Sequence, residues 1–476
     1  MRALSLAVVT VAALGLVACP GGNDNDAIPC ADSTVCNLEA GGQCLASPLG
    51  IDTCAYPTAD CASGLEWGTY AGSLAGECVA ADVDASVIDA PPIDAGIDAP
   101  DNADAMPDAP PGGPIVANFQ PADLVLGQTN FVSATENSGG PSASSLRFPN
   151  GIAFDGSTLW VLDSGNGRAL GWRPLPATGF VPASIVLGHP SFADTTQQTI
   201  AGTSNLRSDC CRHDIAAASG KVVVGDSFWN RVMVWSPSPT ANGEPADFVL
   251  GQNSLTESTP GTSATKMREP FGVWTDGTRL VVADSGNHRV LIWNTFPTTN
   301  GQAADRVLGQ PDFTTGGKAA PSATSMFAPR GVYVDGSRLY VADAGNQRVL
   351  IWNTFPTTNG QAADLVLGQP DLATVNTGTT TAATMNYPQS VAVSNGALFV
   401  ADRGNDRVLV FTPIPTASGV AASLVLGQPD LNTAPNFNNP PTQTSLDSPI
   451  DLTVAGGKLY VTDKEHHRVM RFALNL

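Results

Sequence analysis

Positive charge is the scarcest commodity at the start of this chain. Between Ala3 and Leu146 there is no lysine or arginine, against 18 acidic residues. A segment like that cannot hold a polyanion, because phosphate contacts need basic side chains. The rest of the chain does not compensate. From Ile115 to the end, 27 acids face 22 bases, so most of the net charge of −20 sits N-terminally and the body is nearly balanced. No nucleic-acid partner is expected. Histidine is also scarce, with five residues in 476, which argues against a histidine-rich zinc centre. There is no Cys-x-x-Cys pair, no helical periodicity in the C-terminal three-quarters, and one long apolar run, Ala3 to Val17. That run is short for a membrane-spanning helix. What is plentiful is glycine (48) and proline (37), the turn formers of a β-rich protein.

The N-terminal region divides by composition. Residues 1–18 read as an export signal, with Arg2 as the positive end and Ala3–Val17 as the apolar stretch. It closes on Leu16-Val17-Ala18-Cys19, which resembles the lipobox of bacterial lipoproteins. That resemblance implies cleavage before Cys19 and acylation of its thiol and amine, hence a membrane partner through a lipid anchor. Pro20 stands where enteric lipoproteins retained at the inner membrane carry Asp, so outer-membrane placement is expected. Residues 19–26 would be the lipidated tether. Residues 27–80 hold Cys30, Cys36, Cys44, Cys54, Cys61 and Cys78 with no histidine among them. An even set in a short exported segment is a disulfide framework, of which sequence leaves 15 connectivities open. Residues 81–114 repeat Asp-Ala with interspersed proline, which makes a solvated spacer.

From Ala122 the chain repeats itself six times. One motif, LGQ or a close variant, ends at Gln128, His189, Gln252, Gln310, Gln369 and Gln428. The other, DxGNxR in its best copies, begins at Asp163, Asp226, Asp284, Asp343, Asp402 and Asp463. A period of about 60 residues signals a repeat architecture. Within residues 329–369, GVYV, RLYVAD, RVLIW and DLVLG are four short β-type runs parted by turns, with Asp335-Gly336 as a hairpin signal. Four-stranded units in series predict propeller blades. The run Asp284-Ser285-Gly286-Asn287-His288-Arg289-Val290 resembles the NHL repeat, named for Asn-His-Leu. Asp343–Val349 and Asp402–Val408 follow the pattern with Gln and Asp in the His place. The first and last copies depart from it. The expected fold is therefore an all-β, six-bladed propeller over residues 115–476, preceded by the disulfide module and the acidic linker. A lone DLVLGQ strand, Asp123–Gln128, precedes the first full unit, and the chain ends after the third strand of the sixth. The orphan strand should complete the last blade.

Residues present in every unit read as scaffold, because a catalytic set is asymmetric. The repeated Asp and Arg are expected to fix turns, and the third-strand series Trp172, Trp235, Trp293, Trp352, Phe411 and Phe472 to pack between blades. Variation at the start of the innermost strands is more informative. Round the ring, Asn150, His213 with Asp214, Phe271, Arg330, Gln389 and Asp451 should surround the channel mouth, the best place for a ligand. Asp214, Asp451 and Asn150 could hold calcium. Cys210 and Cys211, in the oddest unit, are left to pair with each other, to ligate a metal with His213, or to remain thiols. The expected function is an envelope-anchored binding or protein-interaction scaffold that meets a protein or small molecule with its loop-rich face. The alternative is a metal-dependent lyase- or lactonase-like enzyme, which the resemblance to NHL-type and other six-bladed propellers allows.

Overall fold

A computed structural model describes residues 115–207, 213–376, 378–433 and 440–475, with the backbone of three further strands near the N-terminus. The chain divides into two units, 1–104 and 105–476. In the first, Gln43–Ala46, Asp52–Pro57 and Leu65–Trp67 form an antiparallel sheet in that order, and the register sets Cys44 opposite Cys54. Cys19, Cys30, Cys36, Cys61, Cys78, Cys210 and Cys211, the export signal and the spacer lie outside the described residues, as does the side chain of His213.

The second unit is an all-β propeller of six four-stranded antiparallel blades. Blade 1 comprises Pro149–Phe154, Leu159–Asp163, Arg168–Trp172 and Ile185–Leu187. Blades 2 to 5 repeat the order, beginning at His213, Pro270, Val332 and Pro388. Blade 6 takes Pro449–Ala455, Lys458–Asp463 and Arg468–Ala473 from the C-terminus, and Leu124–Leu126 from the beginning of the propeller. Leu126, Val125 and Leu124 pair with Val469, Met470 and Arg471, so the ring closes as the orphan strand requires. The first strand of each blade neighbours the first strands of the blades beside it, and these six line the axis.

Alternating side chains on each strand must be buried on both faces, because each blade is sandwiched between two others. This yields six hydrophobic clusters, one per blade interface. Each contains one of the third-strand aromatics. Trp172 packs with blade 6 residues Leu126 and Val469, and Trp352 with blade 3 residues Val281 and Ile292. The four indoles donate to carbonyls nine residues ahead, those of Val181, Glu244, Gln302 and Gln361. Outer edges are covered as well. Asn242, Asn300 and Asn359 each accept a backbone N–H from the outermost strand of the preceding blade, at Val186, Val249 and Val307. Asn118 does the same for Val425, which brings the segment before the closing strand into the pattern.

The two faces of the disc are unequal. One carries the tight hairpins between first and second strands, such as Asp335-Gly336. The other carries the DxGNxR turns and the long connections to the next blade.

Candidate functional site

The conserved-looking motifs inside this chain are consumed by the scaffold. All six Asp–Arg pairs form, at 2.6–2.8 Å, and all twelve side chains are fully buried. The arginine is the hub of its unit. In blade 4, Arg348 donates from Nε to Asp343, from Nη1 to the Leu372 carbonyl, and from Nη2 to the carbonyls of Ser322 and Ser325. One planar guanidinium thereby ties the turn to two stretches of loop, a task that suits its five donors. The other Asp343 oxygen accepts the N–H of Phe327, at the corner leading into the innermost strand. The LGQ glutamine supplies a further staple. Gln252 donates to the carbonyls of Asn230 and Thr259, and Gln369 to those of Gln347 and Asn376.

The variable position of DxGNxR has a role that crosses blades. Asn230, His288, Gln347, Asp406 and His467 all adopt left-handed backbone. Each side chain accepts one backbone N–H from the corner of the next blade: those of Glu269, Ala328, Tyr387, Ser448 and Phe148 respectively. The namesake histidine position is thus an inter-blade clamp. Because Nδ1 of His288 and His467 accepts, the imidazoles are neutral and carry their proton on Nε2. Burial, the largest influence, holds both below the ordinary histidine range.

At the axis, the described residues that begin the innermost strands are buried. Asn150, Asp214, Phe271, Arg330, Gln389, Ser390 and Asp451 are none of them more than 8% exposed. Glycine permits the approach. A Cβ on Gly272 would lie 2.1 Å from the Arg330 carbonyl, and one on Gly331 2.6 Å from that of Gln389. Arg330 lies over the rings of Phe271 and Tyr387 and donates to the Tyr387 hydroxyl at 3.0 Å. Asn150 is fully buried, and neither end of its amide has a hydrogen-bond partner among the described residues.

Asp214 and Asp451, from blades 2 and 6, hydrogen-bond to each other. Asp214 also accepts from the N–H groups of Ile215 and Val273. Asp451 accepts from Ile152 and Leu452 N–H and, at 2.5 Å, from the Ser390 hydroxyl. Burial first, and then the facing Asp451, push Asp214 well above the usual carboxylate range; burial likewise raises Asp451. Two carboxyls in one dry site share a proton rather than both ionise. These residues do not make a calcium cage as they stand. All four carboxylate oxygens accept N–H or O–H bonds, whereas calcium takes six to eight oxygens directed at one point. Among the described residues, no three His, Cys, Asp or Glu side chains converge as metal ligands.

Asymmetry is greatest just outside this ring, on the face of the DxGNxR turns. The residue whose N–H caps the motif aspartate is Arg147, Arg268, Phe327, Asn386 and Asp447 in blades 1, 3, 4, 5 and 6. Arg147 is neutralised by Glu136 at 2.8 Å. Blade 2 departs in another way: Phe228 and Trp229 stand where blades 1, 3, 4 and 5 have Gly-Asn, and Phe228 is exposed beneath the guanidinium of Arg207. Blade 6 brings an acid, Asp447, against His466 and the motif Asp463. Burial, followed by the repulsion of Asp463, pushes Asp447 up to about 7. Asp406, its neighbour across the blade interface, is also raised well above its ordinary value by burial and then by Asp447. Neither the clamp nor this acidic junction was visible from spacing, since both join residues of neighbouring blades that are distant in sequence.

The profile of the NHL repeat matches residues 385–411 and 446–472, the first three strands of blades 5 and 6. The chain is therefore a six-bladed propeller of which blades 5 and 6 match the NHL repeat. No curated protein sequence matches the chain. Similar solved structures include an auxiliary nutrient binding protein from Bacteroides thetaiotaomicron, 12% identical, covering 74% of this chain and 76% of that one with a TM-score of 0.44. Virginiamycin B lyase from Staphylococcus aureus is 11% identical, covering 71% and 97%, with a TM-score of 0.34. A streptogramin B lyase is 12% identical, covering 70% and 95%, with a TM-score of 0.37.

Proposed function

We propose that this chain is an exported binding scaffold, held to the outer membrane by lipid on Cys19, whose propeller meets a protein or small-molecule partner with its DxGNxR face. One observation carries the reading. The repeated Asp–Arg pairs and LGQ glutamines are buried in the scaffold, while the corner residues of the DxGNxR face differ from blade to blade. Arg147, Arg268, Phe327, Asn386 and Asp447 stand at equivalent places with four different chemistries.

The address and the binding face are tested separately. Mass spectrometry of the N-terminal peptide should find acylated Cys19, and Cys19→Ser should release the protein from membranes. For the face, the mature chain is screened against peptide and glycan arrays, alongside an Arg268→Ala/Phe327→Ala/Asn386→Ala variant and an Asp276→Ala/Arg279→Ala control on the hairpin face. Ligands lost only in the first variant support the proposal. Ligands lost equally in both variants, or only in the control, would refute it.

A further inference from the structure

The junction of blades 3 and 4 gathers two cations and one oriented N–H donor. Arg268 and Lys318 are exposed, and among the described residues neither forms an ion pair. Both are held by contacts rather than left loose. The Arg268 stem packs on Gly286, and its backbone N–H donates to Asp284 at 2.7 Å. The Lys318 ammonium sits 3.7 Å from the centre of the Phe327 ring. His288 lies edge-on to the same ring, with centroids 5.2 Å apart. Its Nδ1 accepts the Ala328 N–H at 3.2 Å, so its proton is fixed on Nε2. Gly286, against which the Arg268 stem packs, belongs to the same turn as His288, and Lys318 and His288 both contact the Phe327 ring, so the three groups border one junction.

We infer that Arg268, Lys318 and His288 form a site for an oxyanion, a carboxylate or sulfate group on the partner molecule. The matching junction of blades 6 and 1 has the same parts, with Lys464 and Arg147 both at the Phe148 ring, but there Lys464 is paired with Glu465 at 2.7 Å. His467 is likewise clamped by Phe148, and Arg147 already has Glu136 as its counter-ion. The site shares the face named above but stands independently of the scaffold reading, because a small anion would bind whether or not a macromolecule does. A guanidinium, an ammonium and an imidazole N–H can surround one anionic group with charge-assisted hydrogen bonds. The clamp makes the imidazole a donor without protonation, so binding persists at pH 8.

The test uses the mature chain at pH 8 and low ionic strength, with sodium sulfate and sodium acetate as probes. Imidazole ¹⁵N resonances report His288 directly. At least one anion should shift Nε2 of His288 saturably, leave Nδ1 nearly unmoved, and bind at least tenfold more weakly in both Arg268→Gln and Lys318→Gln. Arg147→Gln should behave as wild type. Lys318 is exposed, so its variant folds. A shift that fails to saturate, or that survives both substitutions, overturns the site.

Discussion

Replacing Asp447 with Asn should make the protein more stable, and only above mildly acidic pH. Asp447 titrates at about 7 in the fold, against 3.8 for an ordinary aspartate. A carboxyl whose folded value is the higher of the two costs nothing below pH 4. Its penalty grows as pH rises from 4 to 7, because the unfolded chain releases the proton first, and is constant above that. Converted at about 1.4 kcal/mol per pH unit, the ceiling is about 4 kcal/mol. Part of this is shared with Asp463 and with His466, whose Nε2 lies 3.9 Å from the Asp447 carboxylate, so a gain of about 1–3 kcal/mol is expected at pH 8. Backbone geometry is not at issue. Asn386 occupies the equivalent place in blade 5 and donates the same N–H, to Asp402 at 2.7 Å. Urea denaturation of wild type and variant from pH 4 to 8.5 gives the curve directly. The reasoning fails if Asp447→Asn is less stable at pH 8, or if the difference does not change with pH.

Other consequences follow from the same contacts. Arg348→Ala strands a buried Asp343 and three carbonyl acceptors, and should cost about 3–5 kcal/mol in denaturant titrations; a loss below 1 kcal/mol would mean the guanidinium is not the hub. Trp352→Ala should cost a similar about 3–5 kcal/mol by opening the interface of blades 3 and 4, read as a fall in melting temperature. His288→Leu leaves the Ala328 N–H without its acceptor, at about 1–3 kcal/mol, whereas His288→Asn should be tolerated because Asn230 makes that clamp in blade 2. Since the folded imidazoles of His288 and His467 lie below their unfolded value, the stability they confer is complete above about pH 6.5 and declines as pH falls below it. Melts of the His288→Asn/His467→Asn variant should therefore be flatter than wild type between pH 5 and 7.

Much of this architecture can be read from residues alone. The two motifs recur in register, and the orphan Asp123–Gln128 strand dictates where the ring closes. The Trp series marks the blade interfaces because a third strand, flanked on both sides, has nowhere else to place an indole. The site was less legible. Gln389, Arg330 and Asp451 were expected around an open mouth, but how far six innermost strands converge depends on glycines at 272 and 331 and on their close approach to neighbouring backbone. The clamp escaped notice for a different reason. Gly, Asn, His, Gln and Asp share no side-chain class, and only left-handed backbone plus an acceptor atom unites those that form it. The raised pKa of Asp447 arises from burial and then from Asp463, and no local pattern encodes either.

The seam in blade 6 has a mechanical consequence. Any tension applied to the chain before Ile115 reaches the propeller through residues 115–126, and the strand there pairs with its neighbour over three residues only. Arg471 grips Asp123 at 2.6 Å, Gln120 holds the Ala473 carbonyl, and Gln443 and Ala122 exchange two bonds. These fastenings join the leading segment to the final residues, so a pull on one end is resisted by the other. Tension strong enough to peel that segment away would unlatch the disc at one place and leave five blades intact, and relaxation would let the same strand snap back into its slot.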